Sequence, residues 1–145
     1  MPALGPNDLT TGVREIDAYT EGLCFLMERI FDPLVECRRS EGPCDHTRCT
    51  RIEAIVKYMV RGFDRQDRLM AEAVYPAESE HRRDHDALID RLRSMQSAHL
   101  CADRDRHVVR DMVSSWAIGH NSHCDAPLGR WAVTRRVLAP ASPRP

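Results

Sequence analysis

The sequence predicts an all-α protein, arranged as an up-down-up-down four-helix bundle. Three observations carry this expectation. Apolar residues recur at three- and four-residue spacing along four long stretches. Short segments rich in Gly, Pro and polar residues separate the stretches. No run alternates with the period of two that a half-buried strand requires. Four amphipathic helices joined by short connections pack most simply as antiparallel neighbours around one core.

Residues 1–10 hold Pro2, Gly5 and Pro6 and read as an irregular arm. The first helix spans about residues 12–38, on a stripe through Val13, Ile16, Thr20, Leu23, Cys24, Met27, Ile30, Phe31 and Leu34. Gly42 and Pro43 break the pattern. The second helix resumes near residue 46 with Ile52, Ile55, Val56, Met59, Phe63, Gln66 and Met70. It ends before Pro76, because the residue ahead of a proline avoids helical angles. The third helix starts at Pro76 and Glu78, which suit a first turn, and carries His81, His85, Leu88, Leu92 and Met95. The fourth carries Val109, Met112, Val113, Trp116, His120 and Cys124, with Pro127 and Gly129 disturbing its end. The bundle closes near residue 133, and the Pro-rich 134–145 reads as a disordered tail.

A chain of 145 residues is one domain by length and long enough to build a core without disulfides. Its 21 basic and 22 acidic residues nearly cancel, so neither nucleic acid nor an anionic membrane is an expected partner. The opening MPALGPNDL has no basic region followed by an apolar one, so the expected location is the cytoplasm. There the six Cys and seven His read as metal ligands or buried thiols.

His81 and His85 stand at i and i+4 and share the apolar face of the third helix. His120 lies on the apolar stripe of the fourth, one turn beyond Trp116. A single core imidazole is ordinarily satisfied by hydrogen bonds. Three imidazoles turned into one core are harder to satisfy that way and offer three nitrogens to a metal ion. Asp125, His123 and Cys124 are the candidates for a fourth ligand. On a regular helix, positions five apart differ by about 140°, so His120 and Asp125 reach one metal only from opposite flanks or through a distorted turn, which Pro127 would help form. His123 and Cys124 align better with His120, and Cys124 would make a His3Cys zinc site.

Four runs carry a family resemblance. GVREIDAYT at 12–20 is similar to G-x-x-x-I-D-x-Q-H, and GFDRQDRLM at 62–70 to H-F-x-x-E-E-x-L-M. YPAESEHRRDH at 75–85 is similar to Y-P-x-x-x-x-H-x-x-x-H. Trp116 with His120 and Asp125 is similar to W-x-x-x-H-x-x-x-x-D. Together the four runs resemble the bacterial hemerythrins, over about residues 9–131. The resemblance implies a four-helix bundle in which one iron takes three His and a second takes two, with a Glu and an Asp between them. Carried over by position, His81, His85, His120 and Asp125 are present. Thr20 and Gly62 stand where the second iron has its His, and Gln66 where the bridging Glu stands.

The resemblance therefore implies one retained half-site, with Asp125 favoured as fourth ligand. Three nitrogens and a carboxylate suit zinc, or iron if water adds, and two irons are not expected. The expected function is a binding or sensory module without reversible oxygen carriage. The alternative is a di-iron protein for oxygen or nitric oxide that recruits Asp67, Tyr19 or Gln66 as unusual ligands. An enzyme is the less expected reading, since Asp67 and Asp84 are the evident bases and both read as solvated. A metal-free interaction module is the fourth reading. The space left at Thr20, Gly62 and Gln66 would take a small ligand or, as expected, be filled by a side chain such as Tyr19 or Met59. Cys37, Cys44, His46 and Cys49 form a weaker candidate for a second zinc site. Cys24 reads as a buried apolar residue, and Cys101 as a loop thiol.

Overall fold

The computed structural model describes residues 10–32 and 49–139. Among these the chain is helical, with no strand. Its elements are α1 (Arg14–Ile30), α2 (Thr50–Ala73), α3 (Glu78–Ser97), α4 (Arg106–His120), a π turn (Asn121–Asp125) and α5 (Ala126–Thr134). Helix α1 packs on α2, α2 on α3 and α3 on α4, while α5 returns against α2.

Asp17 organises the entry to α1. Its carboxylate accepts from the Thr11 N–H at 2.7 Å, the Thr11 hydroxyl at 2.6 Å and the Gly12 N–H at 3.1 Å. Gly12 sits at φ +81°, where a side chain is strained. The helix buries Ile16, Thr20, Leu23, Cys24, Met27 and Ile30. It ends at Ile30, not at 38. Phe31 closes it with its N–H on the Met27 carbonyl at 3.0 Å. Asp32, which precedes Pro33, is not helical. The rest of the expected helix, together with Cys37, Cys44 and His46, lies outside the described residues.

Helix α2 starts at Thr50, and Cys49 is buried at its N-terminus. Its last carbonyls are met by the N–H groups of Val74 and Tyr75, which bond Ala71 and Met70. Val74 holds the left-handed conformation at φ 51°, an unusual place for a β-branched residue. Helix α3 buries His81, His85, Leu88, Leu92 and Gln96 in one stripe. Cys101 lies in the loop between α3 and α4, as expected, and is buried there at 3 % exposure, with its N–H on the Asp105 carboxylate at 2.9 Å.

The fourth predicted helix is continuous past Pro127 but not regular. The ladder widens at the π turn, where the Ala126 N–H bonds the Asn121 carbonyl five residues back. Pro127, which has no N–H to give, falls at the start of α5, just after the ladder has opened. A Cβ at Gly129 would stand 2.9 Å from Val13 Cγ2, so glycine lets α5 approach the start of α1. Thr134 is the last residue of α5. The turn after it brings Leu138 onto a small core of Val13, Ile16, Met70 and Leu128. Of the segment expected as a tail, 140–145 lie outside the described residues. The main core runs from Leu23 and Met27 through Ile55 and Met59 to Leu88, Leu92, Val109 and Val113.

Candidate metal centre

Helix α3 carries His81 and His85 one turn apart, α4 ends on His120, and the π turn ends on Asp125. All four are buried, between 2 % and 6 % exposed. One ligand atom of each lies within 4.8 Å of the others. His85 Nε2 is 3.1 Å from His120 Nε2. Asp125 Oδ1 is 2.9 Å from His120 Nε2 and 3.4 Å from His81 Nε2. A tetrahedral ion with bonds of about 2.0–2.1 Å separates its ligand atoms by about 3.3 Å. These three spacings bracket that value, and the four ligand atoms lie close enough to hold a metal ion once His81 Nε2 gives up its hydrogen bond to Gln66 Oε1, 2.8 Å away.

The π turn is what makes Asp125 part of the cluster. A regular helix would turn it away from His120, and the extra residue in the turn restores the alignment. The other two candidates for the fourth ligand stand elsewhere. His123 is exposed. Cys124 is half-buried, and its thiol reaches the Asp84 carboxylate at 3.9 Å. Asp84, His120 and Cys124 form a second, more open group on the Nδ1 side of the same imidazole.

The rings are fixed from outside. The His120 Nδ1–H donates to Asp84 Oδ2 at 2.6 Å, which sets the tautomer with Nε2 turned to the cluster. Trp116 stacks on His120 at 4.3 Å and 15°. The Trp116 indole N–H also donates to the Asp84 carbonyl at 3.3 Å. Phe63 stacks on His85 at 3.7 Å and 9°. Asp84 is thus no solvated bystander, as its sequence position suggested. It is half-buried and orients a core imidazole. The signal for it was its place one residue before His85 and three after His81.

The charges follow from this packing. Burial, with His120 and His81 alongside, lowers the His85 imidazolium to about 2, so that ring is neutral. Burial alone would also lower His120, but Asp125, Cys124 and Asp84 override it and raise that group to about 10. Burial alone would raise Asp125, yet His120 and His81 hold it well below the usual carboxylate range. The Nδ1 atoms of His81 and His85 are buried without a hydrogen-bond partner. Such a group of desolvated polar atoms is costly unless something else satisfies it.

On the Thr20, Gly62 and Gln66 side the Tyr19 ring occupies the space over Gly62, and outside it opens a cleft of about 700 Å³ lined by Tyr19, Tyr58, Gly62 and Gln66 among others. A Cβ at Gly62 would fall inside the Tyr19 ring. That ring stacks on Tyr58 at 4.9 Å and 7°, and the Tyr58 hydroxyl donates to the Tyr19 carbonyl at 2.7 Å. The Tyr19 hydroxyl lies 3.3 Å from the Met59 carbonyl, and burial pushes its pKa up. The Thr20 hydroxyl donates to the Ile16 carbonyl at 3.3 Å. Gln66 Oε1 accepts from His81 Nε2 at 2.8 Å. A cavity of about 20 Å³ remains between these residues, His120 and Asp125, room for about one water. Asp67, considered as an unusual ligand, lies outside the cluster, with its carboxylate 3.6 Å from Arg82.

Comparison of the chain with protein-family models, with curated proteins and with solved structures finds no match. No helix among the described residues is long and apolar enough to cross a membrane.

Proposed function

We propose that this chain is a hemerythrin-like metal-binding protein. It holds one divalent ion, zinc or iron with zinc favoured, through His81, His85, His120 and Asp125. The architecture is read as an up-down-up-down bundle, and the protein as a binding or sensory module, not an oxygen carrier. The observation that carries this reading is the convergence of three buried imidazoles and one buried carboxylate at ligand spacing. Three nitrogens and a carboxylate make a closed four-coordinate set, which suits zinc. Asp84 behind His120 is the outer partner that metal-bound histidines ordinarily have. The Tyr19 ring over Gly62 supports one ion and counts against the di-iron alternative.

A bound ion supplies a cross-link between α3 and the end of α4 and lends Lewis acidity to whatever it touches. The protein's own residues do the remainder. Trp116 and Phe63 keep the rings in place. The small cavity beside Asp125 leaves little room for a substrate. The test is thermal unfolding with and without a strong chelator. The expected result is a lower melting temperature on chelation, and the same loss in His81→Ala with no further chelator effect. A melting temperature indifferent to chelator in the unsubstituted protein would overturn the proposal.

A further inference from the structure

The four candidate ligands are all but closed to solvent, so an ion needs a way in. A cleft of about 420 Å³ opens between α2 and α3. Its rim carries Asp64, Asp67, Asp86 and Asp90, with Arg82 as the one basic lining residue. Arg82 is already engaged, 3.6 Å from Asp67 and 3.6 Å from Glu78. Asp64, Asp86 and Asp90 make no ion pair among the described residues. Three carboxylates that make no ion pair among the described residues therefore face one cleft. Its inner wall is formed by Phe63 and His85.

His85 belongs to both places. It lines the cleft, and its Nε2 lies 3.1 Å from His120 Nε2 inside the cluster. It is 2 % exposed, and its Nδ1 has no hydrogen-bond partner. We infer that this acidic cleft is the entry vestibule for the cation, with His85 the first nitrogen to meet it. The inference rests on the metal reading above and adds the route and the residues that serve it. A cleft lined by one sign of charge between low-dielectric walls concentrates counter-ions and accelerates their capture, by roughly tenfold to a thousandfold. The carboxylates stay hydrated at the rim and release the ion inward. The cluster holds more ligands at closer spacing and binds it more tightly.

The test is the rate of cobalt(II) uptake by chelator-stripped full-length protein, followed by the visible bands of the bound ion in stopped flow. The vestibule variant is Asp64→Asn, Asp86→Asn and Asp90→Asn together. A control carries Glu15→Gln, Glu28→Gln and Glu72→Gln, which changes net charge equally on exposed positions away from the cleft. The expected result is uptake slowed roughly tenfold or more in the vestibule variant, with a flatter dependence on salt. The control should take up cobalt at nearly the unsubstituted rate, and all three should reach the same stoichiometry. Equal rates in all three would overturn the vestibule, and so would equal slowing in both variants. If the unsubstituted protein developed no cobalt bands at any time, the metal reading itself would fail, a result distinct from unchanged rates.

Discussion

Gly62 lies in the interior of α2, where glycine costs about 1 kcal/mol relative to alanine. Gly62→Ala would therefore stabilise an ordinary helix. Here it should do the reverse. The new Cβ falls inside the Tyr19 ring, which must swing away. The ring then loses its stack on Tyr58, worth about 0.5–1.5 kcal/mol. It also loses the hydrogen bond at its hydroxyl, about 0.5–1.5 kcal/mol. Where it stays, overpacking costs a further 1–3 kcal/mol, roughly. These terms overlap, so after the helix-propensity gain the net destabilisation is about 1–3 kcal/mol. For a chain of this length that lowers the melting temperature by roughly 3–10 °C. The assay is thermal and urea unfolding followed by circular dichroism, in the Tyr19 background and again with Tyr19→Ala. In the second background Gly62→Ala should become stabilising, which makes the coupling between the two positions large and of known sign. Stabilisation by Gly62→Ala with Tyr19 intact would refute the claim that this ring fills the space.

Other consequences are equally direct. Asp84→Asn keeps the half-buried side chain's size but removes the charge behind His120; metal affinity measured by competition with a chelator should fall about 10–100-fold. Chelator-stripped protein should be most stable near pH 6.5, roughly. Below that, the unfolded chain protonates His85 while the folded chain, with its value near 2, does not, so stability falls as pH falls. Above it, the stabilisation of charged His120 is lost as pH rises toward about 10. Denaturant midpoints across pH 4.5–9 check this, and His85→Phe should flatten the acid limb. Val74→Gly, at the left-handed close of α2, should stabilise by about 1 kcal/mol in the same unfolding assay.

The helical class was legible because a period near 3.6 is written into every long stretch, and His81, His85 and His120 fall on the buried stripes as that period requires. Cys24 likewise follows its stripe into the core. What escaped the sequence depends on departures from that period. A distorted turn between His120 and Asp125, with Pro127 just beyond, was legible from their spacing; that it takes the form of a π turn was not. Asp84 was invisible because a carboxylate next to a stripe is read as solvated until a partner is known. Tyr19 was legible as a filler of the space at Gly62, but its exact contact exists only after α1 and α2 have packed. The end of α1 was overrun because Leu34 extends the apolar stripe past the stop signal of Pro33.

Metal content per chain, measured by plasma mass spectrometry on untagged protein purified without added metal, tests the central claim most directly. The account predicts one equivalent of zinc or iron, lost in Asp125→Ala and retained in Cys124→Ser. Two irons per chain would contradict it by requiring ligands on the side that Tyr19 fills, and a chain that carries no metal and takes none up would contradict it outright.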